Sequence, residues 1–326
     1  MEVVVLLEFW RPMTRLKNVA NVYLLVLGLK DINMKYGSSV ICISVLLPLF
    51  SGEMKVIDLT WAHRKEMPQW PGEGIPKFKL NIINRGFLAK FWYEINWFVT
   101  PEHAGTHFDS PAHFSKGKWR AHEIPPERLI GPAVVIDVTS QAERDHDYRV
   151  TKSDFDRYER EHGRIPHGAI VLMNSGWGSR FQDKNLVYNS EKVDDPSTYH
   201  FPGYHEDAIS WLLTNRNVSM VGVDTPSVDY GQSTTFKVHV LCGENGIIGL
   251  ENVANIDQIP VFGATIFVGA MKVFDGSGGP ARIIATFDPL VSHEHRATWI
   301  VVIVTSLLFG IYGIYSTCFR IQRARQ

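Results

Sequence analysis

The chain has 326 residues, 45% hydrophobic and 21% charged, which excludes a disordered, collagen-like or coiled-coil protein and suits one large domain or two modest ones. Thirty-three basic residues against 34 acidic ones give a net charge of −1, without the basic excess of a nucleic-acid binder, so no nucleic-acid partner is expected. Of three cysteines only Cys242 lies in the body of the chain, which excludes there both an intradomain disulfide and a structural zinc site of four cysteines or of two cysteines and two histidines.

Residues 1–53 form an N-terminal extension with two apolar runs, at 21–29 and 38–50. The second follows Met34 and Lys35 and has the order of a short basic region and an apolar core, as in a secretory signal or an uncleaved anchor. From 54 to 295 the pattern is that of one mixed α/β body. Strands are expected at 134–137, 169–174, 220–224, 236–241 and 264–271, each bounded by Gly, Pro or Asn. Helices are expected at 153–162, with Ser153 as N-cap, and at 205–215. The aromatic run FWYEINWF (91–98) reads as a buried strand. Neither a repeat nor a linker divides this body. Residues 298–319 then carry no formal charge, and as a helix would cover about 33 Å, enough for a bilayer core of about 30 Å. Arg320, Arg323 and Arg325 in the tail 320–326 would stay in the cytosol, which puts the body on the luminal or extracellular side of a single-pass membrane protein.

Chemistry concentrates in HAGTHFDSPAHF, residues 103–114, where His103, His107, Asp109 and His113 fall within eleven residues. Imidazole and carboxylate are the donors that borderline divalent metals prefer. Gly105 and Pro111 argue against a helix, so this is not a two-histidine helical motif. On an extended chain the four side chains share one face. His107 and Asp109 would lie roughly 6.7 Å apart at Cα and could chelate one ion, whereas His103 and His107, about 13 Å apart, need a bend. Gly105 permits one. A divalent ion there would acidify water from a pKa of 15.7 to about 7 and polarise an amide carbonyl, and a neutral imidazole beside it could move the proton.

The segment resembles the H-x-G-T-H-x-D-x-P-x-H signature of the cyclase-like metal-dependent hydrolases, which include kynurenine formamidases and isatin hydrolases. The similarity runs across roughly residues 56–288. PQWPG (68–72), HFPG (200–203), SMVGVDTPSVDYG (219–231) and the later run holding His239, Glu251 and Asn252 all look like family segments. The resemblance implies a mixed β/β/α catalytic domain with a small barrel-like sheet core. It implies His103, His107, Asp109, His239 and Glu251 as metal ligands, His113 as the acid/base residue and Trp70 as a pocket wall against an aromatic substrate. The cofactor it implies is zinc or manganese, one ion or two, with Asp109 and Glu251 bridging in the two-ion case. Alone, His239 reads as a strand or core histidine and Glu251 as a strand-end carboxylate; only their pairing with the first motif raises them. Asp224 and Asp229 stand evenly between orienting a ligand imidazole and ordinary turn chemistry. The SGGP run at 277–280 reads as a turn.

The expected activity is hydrolysis of a formamide or cyclic amide, N-formylkynurenine-like in tryptophan catabolism to kynurenine, with an isatin-hydrolase-like cyclic amidase as the alternative. A competing reading of another class is a membrane-tethered binding ectodomain with a structural metal. The expected partners are a small aromatic amide, the membrane through the C-terminal helix, and a homodimer mate.

Overall fold

The computed structural model describes residues 22–29, 41–48 and 53–289. Strands β1 (Val22–Leu29) and β2 (Ile41–Pro48) pair antiparallel along their whole length as a unit of their own. Within the second apolar run, expected as a signal or anchor segment, residues 41–48 form strand β2. The single-pass topology is corrected. No helix among the described residues is long and apolar enough to cross a membrane, and the run at 298–319 lies outside the described residues.

The body begins with β3 (Lys55–Asp58), followed by a hairpin of β4 (Lys79–Leu88) and β5 (Phe91–Val99). Next come β6 (His107–Asp109), β7 (Ile130–Asp137), the helix α1 (Thr139–Arg144) and the short β8 (Arg149–Val150). They lead into α2 (Lys152–His162), β9 (Ala169–Asn174), α3 (Lys184–Tyr188) and β10 (Gly203–Tyr204), which pairs with β8. The chain ends its described course with α4 (Glu206–Asn215), β11 (Val218–Val223), α5 (Lys237–Glu244), β12 (Ile248–Glu251), β13 (Phe262–Ala270) and β14 (Gly278–Phe287).

Seven of these strands close on themselves in the order β13-β7-β9-β11-β12-β6-β14, with β14 returning to β13 and β3 added outside β14. The run β7-β9-β11-β12 is parallel and the rest antiparallel. Closure removes sheet edges, and period-two alternation divides the side chains between two cores. Ala133, Val135, Ile170, Leu172, Met220 and Leu250 fill the interior with Phe108 and Ile283. Val134, Ile136, Val171, Met173 and Val221 face outward against Phe155, Tyr158, Ile209 and Leu212 of α2 and α4. Central strands covered on both faces are almost continuously apolar, and β9 and β11, with Asn174 and Ser219 as their polar residues, are buried at every position. The expectation of a mixed α/β domain with a small barrel-like core holds.

Three local expectations are corrected. Residues 236–241, expected as a strand, open helix α5. Helix α2 is capped by Thr151 rather than Ser153: the Thr151 N–H and hydroxyl both donate to the Asp154 carboxylate, at 2.8 and 2.9 Å. The aromatic run is a strand, β5, but it is not buried. Phe87 at 73% exposure and Trp92 at 56% typify a hairpin whose apolar side chains face outward on both sides.

Candidate metal centre

Strand β6 places the motif between two neighbours, with Asp109 opposite Gly249 and Gly278, and His107 opposite Glu251 and Pro280. This register puts the Glu251 carboxylate beside the His107 imidazole, although 144 residues of sequence separate them. Before the strand the chain bends at Gly105, whose φ of +60° favours glycine and whose N–H donates to the Pro68 carbonyl at 2.8 Å. The bend brings His103 back over the motif: its Nδ1 lies 2.6 Å from Asp109 Oδ1.

Helix α5 supplies His239 from the opposite side. Its Nε2 is 3.3 Å from Asp109 Oδ2 and 3.1 Å from Glu251 Oε1, while His107 Nε2 is 3.4 Å from Asp109 Oδ1 and 3.3 Å from Glu251 Oε2. Each imidazole is aimed by its other nitrogen. His107 Nδ1–H donates to the Gly105 carbonyl at 2.9 Å, and His239 Nδ1–H donates to Asp229 at 2.7 Å. Both hydrogen bonds leave a lone pair on Nε2, the tautomer a metal ligand requires. Glu251 Oε1 also accepts the Val228 N–H at 3.0 Å.

All five expected ligands meet here. His107, Asp109 and Glu251 make one buried donor group, and His103, Asp109 and His113 a second, so that Asp109 belongs to both. His113 lies in the 3₁₀ turn after β6, its ring stacked on that of His103 at 3.8 Å. It thus sits within a donor group as well as beside the ligands.

The electrostatics ask for a cation. Burial acts to lower the pKa of His107, but the carboxylates of Asp109 and Glu251 outweigh it and lift the imidazole to about 10. Burial likewise acts to raise both carboxyls, yet the surrounding histidines hold Asp109 well below the usual range and Glu251 below it. His113 goes the other way: burial pushes it down to about 4, so it is neutral at pH 7. Two buried atoms of the site, Asp109 Oδ2 and His107 Nε2, have no hydrogen-bond partner among the described residues. A convergent, buried set of imidazole and carboxylate donors with orphaned atoms fits a borderline divalent ion.

The centre floors a cavity of about 710 Å³. Trp70 stands in its wall, edge-on to Tyr199 at 5.5 Å and Phe236 at 5.8 Å, with Phe114, Tyr188 and Ile75 nearby. The volume and apolar lining suit a small aromatic molecule. The two evenly weighed aspartates have different roles. Asp229 orients His239, whereas Asp224 accepts from the Ser175 hydroxyl at 2.6 Å and from the backbone N–H groups of Ser175, Trp177 and Gly178, anchoring a loop.

Comparison with known proteins agrees with this geometry. The family described as "Putative cyclase" matches residues 57–230. An isatin hydrolase from Roseibium aggregatum is 31% identical over 250 residues, covering 73% of this chain and 93% of its own. A kynurenine formamidase from Salinibacter ruber is 26% identical over 182 residues, 56% of this chain and 74% of its own. The crystal structure of an isatin hydrolase bound to the product analogue thioisatinate superposes with a TM-score of 0.68 at 31% identity, covering 74% of this chain and 95% of that one.

Proposed function

This chain belongs to the cyclase family of metal-dependent hydrolases, and on that premise we propose that it cleaves the amide bond of a small aromatic cyclic amide of the isatin type. The observation that carries the reading is the four-donor centre of His107, Asp109, His239 and Glu251 at the floor of an aromatic-walled cavity. A divalent ion, zinc or manganese, held by these residues and His103 would supply an acidified water and a polarised carbonyl. The second donor group, sharing Asp109, leaves room for one ion or two.

The chain's own residues carry the remaining work. Trp70 and Phe236 stack against the aromatic ring and hold the carbonyl over the donors. His113, neutral at pH 7, takes a proton from the attacking water and gives it to the departing nitrogen. The carbonyl carbon gains an oxygen, the C–N bond breaks, and a cyclic substrate opens to one molecule with a carboxylate and an amine. A centre open to a cavity supports catalysis over a purely structural metal, whose sites are closed. The similarity to a kynurenine formamidase supports a second reading, N-formylkynurenine as substrate, with formate as the leaving acid. Turnover of isatin and of N-formylkynurenine by the purified protein, with Zn²⁺ or Mn²⁺, separates the two. Failure to open isatin would remove the first.

We also assign the exposed β4–β5 hairpin to contact with a second copy. Its outward aromatic and aliphatic side chains amount to on the order of 1,000 Å² per copy, more than the roughly 800 Å² per partner of a standard interface. Sedimentation of the wild type as a dimer, and of Phe87→Ser/Trp92→Ser as a monomer, is the expected result. A monomeric wild type refutes the assignment.

A further inference from the structure

We propose that Glu102 and Ser277 form a hydrogen-bond relay that fixes the imidazole of His103 with its Nδ1 lone pair facing the metal centre. Both are then positioning residues. The inference rests on the metal-centre reading above and deepens it.

The relay follows from counting hydrogens. Ser277 Oγ lies 2.6 Å from Glu102 Oε2 and 2.9 Å from His103 Nε2. A carboxylate only accepts, so the single hydroxyl proton is donated to Glu102. The serine oxygen must then accept from His103, which puts the imidazole proton on Nε2. Nδ1 is left with its lone pair, 2.6 Å from Asp109 Oδ1. Two acceptors facing each other at that distance need a positive charge that both can share, which a divalent ion held by these residues would supply. Ligand histidines ordinarily give their second N–H to a carboxylate or carbonyl; here one hydroxyl stands between the imidazole and the carboxylate.

The backbone around Ser277 is held for this purpose. Its N–H donates to the same Glu102 oxygen at 3.0 Å, and its carbonyl accepts from the Ser110 N–H at 2.9 Å and the Ser110 hydroxyl at 2.7 Å. Ser110 directly follows strand β6, and Gly278 pairs with Asp109, so Ser277 is clamped to the metal motif itself. The flanking glycines make the approach sterically feasible. A Cβ at Gly276 would come within 2.7 Å of Glu102 Oε1, and one at Gly278 within 2.6 Å of His103 Cε1 and 2.5 Å of the Phe108 carbonyl oxygen. The Gly-Ser-Gly order is thus tied to the ligand, and the run that reads as a turn has a task.

The test is metal affinity of the full-length protein, measured by titrating Zn²⁺ or Mn²⁺ into metal-free protein against a chromophoric chelator. Ser277→Ala should weaken binding about 10- to 100-fold, and Ser277→Thr, which keeps the hydroxyl, should restore it to within about threefold. Glu102 is partly exposed, so Glu102→Gln is the variant safest to fold; its amide oxygen still accepts from Ser277, only the charge is lost, and about a tenfold weakening is expected. Melting temperatures of the metal-free variants should match that of the wild type, which separates positioning from a general loss of structure. Wild-type affinity in both Ser277→Ala and Glu102→Gln would overturn the relay alone. A wild type that binds neither metal would instead remove the metal-centre reading beneath it.

Discussion

Replacing Asp229 with Asn tests the centre through a residue that is not itself a metal ligand. Its Oδ2 accepts the His239 N–H at 3.1 Å and the His239 Nδ1–H at 2.7 Å; its Oδ1 accepts the Val238 N–H at 3.1 Å and the Ser233 hydroxyl at 3.2 Å. Asparagine keeps one acceptor oxygen and turns an NH₂ group on the other pair. With the oxygen kept toward His239, the buried Val238 N–H at the start of α5 loses its partner, which costs about 1–3 kcal/mol. For a body of this size each kcal/mol moves the melting temperature by about 2–4 °C, so metal-free Asp229→Asn should melt roughly 2–12 °C lower. His239 also loses the charge that fixes its Nδ1 proton, so metal affinity should fall about 10- to 100-fold. Calorimetry on the metal-free protein and chelator competition on the loaded protein measure the two effects separately. An unchanged melting temperature would refute the donor accounting. An unchanged affinity would refute the orienting role.

Within the motif, His107→Ala should abolish tight metal binding, read by elemental analysis after dialysis. His113→Ala should keep the metal and lower kcat about 10²- to 10⁴-fold; equal metal loss in both variants would make His113 a ligand rather than a proton carrier. Trp70→Ala should raise KM for an aromatic amide with a smaller effect on an aliphatic one, and equal losses on both would mean that Trp70 only supports Tyr199 and Phe236. Burial pushes the Asp224 carboxyl up to about 6, above its unfolded value near 3.9, so the folded protein holds this proton more tightly. Its contribution to stability is fully present below about pH 4 and lost as pH rises through 6; Asp224→Asn should remove that slope, about 2–3 kcal/mol, from denaturation curves taken between pH 4 and 7.

Much of the centre is legible in the sequence because three of its donors lie on one bend and one short strand. A histidine, a glycine, a second histidine and an aspartate in that order state both the chemistry and the turn it needs. The barrel strands are equally plain, since runs such as 169–173 are apolar without a break. Glu251 is harder: nothing near it in sequence distinguishes a strand-end surface carboxylate from a site residue, and it is the pairing of Glu251 with His107 across β12 and β6 that brings it to the site.

One cause of misreading is a partner that lies elsewhere in the chain. Residues 236–240 alternate aromatic and β-branched side chains with polar ones, and with Leu241 the run reads as a strand. They form a helix because Phe236 adopts φ +47° and Asp229, well upstream, collects the N–H groups of Val238 and His239. No capping residue stands at the helix start to announce it, as the acceptor that serves α5 also serves the ligand. The same economy explains why Asp229 cannot be separated from Asp224 in sequence: both follow the strand β11 within one turn-rich segment, and only their hydrogen-bond donors differ. The aromatic hairpin fails in the opposite direction. Its composition reads as a strand buried in its own domain, but composition alone does not say whether the domain covers it. Sequence patterning therefore records the demand for a cap, a counter-charge or a cover, and the register of the closed sheet decides which residue meets it.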